Sequence, residues 1–318
     1  MPEIYSLDRQ EKFSFDAYLK SRRERVEERL SHYLSEGRPE KLWEAMRYSV
    51  LSGGKRLRAM LALAAAESVA RANSLQVDPV EVALPLACAI EMVHAMSLIH
   101  DDLPCLDNDD LRRGKPTNHK VFGEAMALLA GDGLLMLANE VLLTHSHSIV
   151  SKDDLLAVSL GLSRATGPSG MVGGQVLDME FTGHGEKGVS LTTLEEIHSG
   201  KTGALIRFSL WSGGKLLGGS PEQLESLSRL GDIMGLAFQI TDDLLDVVGD
   251  AKTLGKTPGK DQATSKATWI SAFGIDGARE KLQTMEAEGE TLIKRASLDN
   301  QSSPVLSHLL KYSIHRNK

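Results

Sequence analysis

The sequence predicts an all-helical protein, and three observations carry this. Apolar residues recur at helical spacing in segment after segment, with no convincing strand alternation. Turn and capping residues fall between those segments. In one long segment Gln239, Asp242, Asp243 and Asp246 stand at i, i+3, i+4 and i+7, which is one face of a helix. No fixed repeat or low-complexity segment divides the 318 residues, so one domain of roughly ten or more helices is expected over 1–318.

Residues 14–33 form a first amphipathic helix whose Arg and Glu face solvent, and 35–39 turn into a second helix from about 40 to 49. Gly53-Gly54-Lys55-Arg56-Leu57-Arg58 opens a third helix that runs to about residue 72. Paired glycines, a helix N-terminus and fixed cations at one point suit an anion, although a plain turn with surface basics fits as well. Asp78-Pro79-Val80-Glu81 starts a helix by capping and runs to about residue 103, with a kink expected at Pro85. On it His94 and Asp101 are seven apart and share a face. Residues 117–145 form an apolar helix or helix pair, followed by helices at 152–166 and 170–182, the latter carrying Gln175 and Asp178. Residues 195–217 are helical with an interruption at 199–203. Gly200-Lys201-Thr202 there lacks the upstream glycine and strand of a nucleotide-binding loop. The second acidic stripe lies on the helix from about 221 to 248. A Gly- and Lys-bearing loop follows, then further helices from about 269 with a linker near 297–304.

The net charge of −7 argues against nucleic acid as a partner. Two cysteines, Cys88 and Cys105, fit a reducing compartment and no disulfide framework. No run of eighteen apolar residues is present, so no membrane span is expected, and the first residues read neither as a secretory signal nor as a transit peptide. A cytoplasmic protein is expected, or a plastid stromal one lacking its transit peptide.

The chemistry concentrates in residues 94–113, which hold five Asp and two Arg behind an apolar helix. Carboxylates this dense call for hard divalent cations, and Arg112-Arg113 beside them for a metal-borne anion. Asp101 and Asp107 are six apart, roughly 120° on a straight helix. Pro104 should break the helix and let Asp107 return towards Asp101. An acidic surface loop would explain the acids but not their place at the end of a long apolar stripe.

These motifs, in this order, make the chain resemble the trans-isoprenyl diphosphate synthases (polyprenyl synthetases) over about residues 15–266, most nearly the geranylgeranyl diphosphate synthases of cyanobacteria and plastids. The resemblance implies a single helical bundle of the isoprenoid synthase type with a deep central cavity. It implies about three magnesium ions held by Asp101, Asp102 and Asp107 and by Asp242, Asp243 and Asp246. It puts Arg112, Lys201, Lys256 and Lys266 on the allylic diphosphate, with Thr202 and Gln239 near its reactive end, and Lys55, Arg58, His94 and Arg113 on isopentenyl diphosphate. Product length is expected to depend on Met96, followed by Ser97. Met96 occupies a wall position where short-chain bacterial enzymes typically carry Tyr, so a geranylgeranyl product is expected. The family implies a homodimer. Ala59 and Trp269-Ile270 stand where many relatives have Pro and Tyr-Pro. A terpene cyclase would typically lack Gly-Gly-Lys-Arg and the second acidic motif. A regulatory subunit would tend to lose one acidic motif. A metal-storage bundle would need Glu-x-x-His pairs on facing helices, and none is suitably placed.

Overall fold

The computed structural model describes residues 13–181, 190–248 and 268–315. Helix α1 (Phe15–Tyr33) begins at Ser14, whose hydroxyl accepts from Ala17 N–H, and α2 (Glu40–Val50) follows Pro39. Helices α3 (Leu57–Ala72) and α4 (Pro79–Asp101) form the centre, apolar nearly all round and buried along most of their length. A helix with no polar face is stable only when neighbours enclose it. Here α6 (Glu124–Thr144), α10 (Ala204–Leu216) and α3 surround α4. The predicted start of α4 is present: Asp78 accepts from Val80 and Glu81 N–H, with Pro79 at the first position. The Glu81 side chain turns away from the cap to pair with Arg25 and Arg29 on α1. The helix continues through Pro85 as one element.

Short α5 (Asn118–Phe122) precedes α6; α7 (Lys152–Thr166), α8 (Met171–Phe181) and α9 (Leu191–His198) follow. A π-helical turn (Ser199–Gly203) joins α9 to α10. The long α11 (Pro221–Val248) carries the second acidic stripe; α12 (Trp269–Arg295), interrupted at Gly274, and α13 (Val305–His315) pack against it. One contiguous apolar core runs through these helices.

Two features differ from expectation. The segment after α4 contains a minimal antiparallel pair, β1 (Leu111–Arg112) with β2 (Lys115–Pro116), too short to alternate visibly in sequence. And α4 and α6 are both long and apolar enough to cross a membrane by length and composition, though neither is an unbroken apolar run. The apolar window of α4 is 83% buried, as befits a core helix, but that of α6 is only 39% buried.

Candidate active site

Asp101 ends α4 and Asp102 caps it, so both carboxylates sit at the negative end of a helix dipole. The chain then curls back on itself: Leu106 and Asn108 donate to Leu103 O, and Asp107 N–H donates to Asp101 O at 2.8 Å. The break at Pro104 thus returns Asp107 to Asp101, as its position predicts. Burial pushes the Asp101 carboxyl up to about 6; Lys201 opposes this, while Asp107 and Asp102 add to it. Burial lowers the Lys201 ammonium, yet Asp178, Asp101 and Asp107 outweigh it and hold the group above its ordinary value. Lys201 Nζ donates to Asp178 Oδ2 at 2.6 Å.

Lys201 and Thr202 sit in the π-helical turn, and from it Lys201 reaches the acidic cluster. The backbone of the turn is clamped between two helices at glycines. A Cβ on Gly200 would lie 2.8 Å from Gly174 Cα on α8, and one on Gly235 of α11 would lie 2.7 Å from Gly203 Cα. Asp178, four residues after Gly174, lies one turn further along α8.

The hairpin separates the two arginines. Arg113 (φ 54°) and Gly114 (φ 75°) turn between β1 and β2 with left-handed backbones, as a tight hairpin requires. Arg112 is the last strand residue and Arg113 the first of the turn, so the reversal of the chain between them parts their side chains. Arg112 turns to Asp102, with Nε at 3.0 Å from Oδ1, Nη2 on the same oxygen and Nη2 also reaching Asp109 at 3.5 Å. Arg113 turns the other way and donates to Gly53 O. Gly54 is glycine because its φ is +131°, and a Cβ there would in addition push the Arg113 guanidinium, 2.7 Å away, from its place.

Beside Arg113 lie Arg58 and His94, with Arg58 Nη1 3.5 Å from His94 Nε2. Burial, then Arg58 and Arg113, drive the imidazole well below its ordinary value, so it is neutral at pH 7. Lys55 is exposed, its Nζ 5.8 Å above the Tyr312 ring. A cleft lined by His94, Asp102, Arg112 and Arg113 connects this group with the first acidic cluster. The N-terminus of α3 is not open to an anion at every position, because Ala59 N–H already donates to Glu91 Oε1.

On α11, Gln239 and Asp246 are half-buried, Asp242 is exposed and Asp243 is buried. Asp243 Oδ2 accepts from Trp269 N–H at 2.8 Å, tying the second acidic motif to the start of α12. Met96 is buried on α4, and the half-buried Ser97 donates back to His94 O. Lys256 and Lys266 lie outside the described residues. Among those described, no three His, Cys, Asp or Glu side chains converge closely enough to hold a cation alone. The carboxylates of Asp101, Asp102 and Asp107 are hard oxygen donors of the kind magnesium takes, one or two per ion with water and phosphate completing its shell. Burial, with Asp107 and Asp102 adding to it, raises the Asp101 carboxyl, and a divalent cation beside it would favour the charged form. Sequence reasoning assigned no site role to Glu91, Arg56, Asp109 or Asp178. All four stood in segments already singled out there: Glu91 on the helix of His94, Arg56 in the Gly-Gly-Lys-Arg motif, Asp109 in the acidic stretch and Asp178 beside Gln175.

The helical bundle carries one acidic motif at the end of α4 and another on α11, with Arg112 and Lys201 beside the first and Arg58, His94 and Arg113 grouped on the other side of the hairpin, an arrangement suited to diphosphate chemistry. The polyprenyl synthetase family profile matches residues 39–299. The chain is 47% identical over 306 residues (96% of its length, 84% of the relative's) to a dimethylallyltranstransferase of Fischerella ambigua (strain UTEX 1903). It is 43% identical over 305 residues (96% and 80%) to the chloroplastic heterodimeric geranylgeranyl pyrophosphate synthase large subunit 1 of Arabidopsis thaliana. The structure superposes on an apo FPP/GFPP synthase from Zymomonas mobilis with a TM-score of 0.79 at 33% identity, covering 94% and 98% of the two chains. The chain belongs to the polyprenyl synthetase family and is a trans-prenyl diphosphate synthase.

Proposed function

We propose that this protein condenses isopentenyl diphosphate head-to-tail with dimethylallyl, geranyl and farnesyl diphosphates to give geranylgeranyl diphosphate, with magnesium. The observation that carries this is the hairpin of residues 111–116, which sends Arg112 to the acidic cluster and Arg113 to the Arg58–His94 group. Two anion subsites on either side of one turn are what a two-diphosphate reaction requires.

Arg112 and Lys201, with Lys256 and Lys266, hold the allylic diphosphate, and Thr202 and Gln239 stand near its reactive end. Lys55, Arg58, His94 and Arg113 hold isopentenyl diphosphate, His94 as a neutral hydrogen-bonding group. Asp101, Asp102, Asp107, Asp242, Asp243 and Asp246 would hold the magnesium ions. When bound, these supply Lewis acidity and a template for the diphosphate. The allylic carbon–oxygen bond ionises, and the fixed cations Arg112 and Lys201 stabilise the departing charge. The isopentenyl double bond attacks the allylic cation, and a proton is then lost to the departing diphosphate. Apolar residues of α4, Met96 among them, line the space for the growing chain and set its length.

The exposed face of α6 supports a homodimer. Leu129, Met136 and Leu143 recur every seven residues and are 54%, 69% and 49% exposed, a stripe that a second copy would bury. The deciding experiment is incubation with magnesium, isopentenyl diphosphate and each allylic primer, with products identified by mass. A twenty-carbon end product is expected. A fifteen-carbon product refutes the length assignment, and no condensation refutes the function.

A further inference from the structure

The Gly-Gly-Lys-Arg loop is built over a buried ion cluster to which the proposed substrate roles assign no part. Arg56, between the two loop cations Lys55 and Arg58, does not face solvent. Its side chain is 2% exposed and its backbone is left-handed (φ 51°), a conformation a non-glycine residue holds only when its surroundings enforce it. The surroundings do so at three points. Nε donates to Glu27 Oε1 at 2.7 Å, Nη2 to Val50 O at 2.6 Å, and Nη1 to Glu91 Oε2 at 3.4 Å.

Glu91 is equally buried, and its other oxygen accepts from Ala59 N–H at 3.2 Å. Ala59 is the third residue of α3, and Arg56, at the cap position, provides no side-chain cap. A carboxylate from α4 thus caps α3 in its place. Arg58 lies between the two anchored positions, Arg56 and Ala59. Its Nη1 reaches towards His94, which stands one turn after Glu91 on α4, and its Nε is buried without a hydrogen-bond partner. The electrostatics agree. Burial pulls both Arg58 and Arg113 below the usual arginine range, and Glu91 opposes that at each.

We propose that Glu91 and Arg56 are positioning residues of the isopentenyl diphosphate subsite, holding Arg58 and His94 at the spacing a diphosphate needs before it arrives. This rests on the reading of Lys55, Arg58, His94 and Arg113 as that subsite. Two effects of Glu91 have opposite sign. As a bare charge it repels a neighbouring anion, so removing it would tighten binding. As an anchor it pre-orders Arg58, so removing it weakens binding. The anchoring effect is the larger, because a desolvated charge-assisted contact outweighs a longer-range repulsion.

Glu91→Gln keeps the volume and an acceptor for Ala59 N–H but loses the charge facing Arg56. Arg56→Lys keeps the charge but cannot span three partners. Both are assayed by steady-state condensation well below their melting temperatures, with Arg58→Ala alongside. Each of the two variants is expected to raise the KM for isopentenyl diphosphate roughly tenfold, as for loss of a charged hydrogen bond. The KM for farnesyl diphosphate should stay within about twofold, and the double variant should cost less than the product of the singles. If Arg58→Ala raises the isopentenyl KM while Glu91→Gln and Arg56→Lys leave it unchanged or lower it, the positioning inference is overturned and the subsite stands. If both KM values rise together as melting temperature falls, the cluster is general scaffold and the inference is again overturned. An unchanged isopentenyl KM in Arg58→Ala removes the subsite reading itself, and the inference with it.

Discussion

Gly235→Ala tests whether the π-helical turn is placed by backbone contact. The Cβ added at Gly235 would lie 2.7 Å from Gly203 Cα, where ordinary contact begins near 3.4 Å, so α11 and the turn must part by about 0.7 Å. Gly203 ends the turn that carries Lys201 and Thr202, and Gln239 stands one helical turn beyond Gly235. Misplacement by 1 Å costs on the order of a hundredfold in rate, so about 0.7 Å predicts a fall in kcat of roughly ten- to thirtyfold. Stability should change less. Overpacking costs about 1–3 kcal/mol, but alanine gains about 1 kcal/mol over glycine inside a helix, leaving a net loss of about 0–2 kcal/mol. The assay is kcat with saturating isopentenyl and farnesyl diphosphates, beside thermal unfolding followed by circular dichroism. A folded variant whose kcat stays within about threefold of the parent refutes the argument that close glycine packing sets the site.

Three further outcomes are expected. Asp101 has a folded pKa of about 6 against 3.8 unfolded, raised first by burial, so between those values the native state holds the extra proton and metal-free stability falls as pH rises. In EDTA, Asp101→Asn should therefore melt higher than the parent at pH 7, with the gap closing towards pH 4; a gap that widens on acidification contradicts the assignment. The same variant should lose turnover. Met96→Tyr should shorten the product by at least one isoprene unit, read by mass, and an unchanged product takes Met96 off the wall. For the proposed dimer, light scattering should give a dimeric parent and a monomeric Met136→Glu; a monomeric parent refutes the dimer, and a dimeric variant places its interface elsewhere.

The helices were legible because their evidence is local. Asp78-Pro79 starts α4, the helix expected at 152–166 is α7, and the Gln239–Asp246 stripe lies on α11 where its spacing put it. The return of Asp107 to Asp101 was also legible, because Pro104 permits little else. The hairpin at 111–116 was not, since two-residue strands leave no alternation to read. Nor was the joining of α3 to α4 through Glu91 and Arg56, which lie 35 residues apart in sequence and meet only once the helices pack. The interruption at 199–203 was visible as Gly and Thr within a helical pattern, but its π geometry arises from Gly174 and Gly235, far away in the chain.

The two-residue hairpin bears on where this chain tolerates a change of length. Pro104 and Cys105 are exposed in the loop ahead of it, but that loop is tied at both ends: Leu106 and Asn108 N–H donate to Leu103 O and Asp107 N–H to Asp101 O, so added or removed residues there would move Asp107. Between Arg112 and Arg113 the limit is the turn itself. One inserted residue there would break the two-residue turn of Arg113 and Gly114 and draw Arg113 away from Gly53 O. A change of length is therefore costly on both sides of residue 111: in 103–108 it parts Asp107 from Asp101, and within 112–114 it undoes the separate anchoring of Arg112 on Asp102 and Arg113 on Gly53.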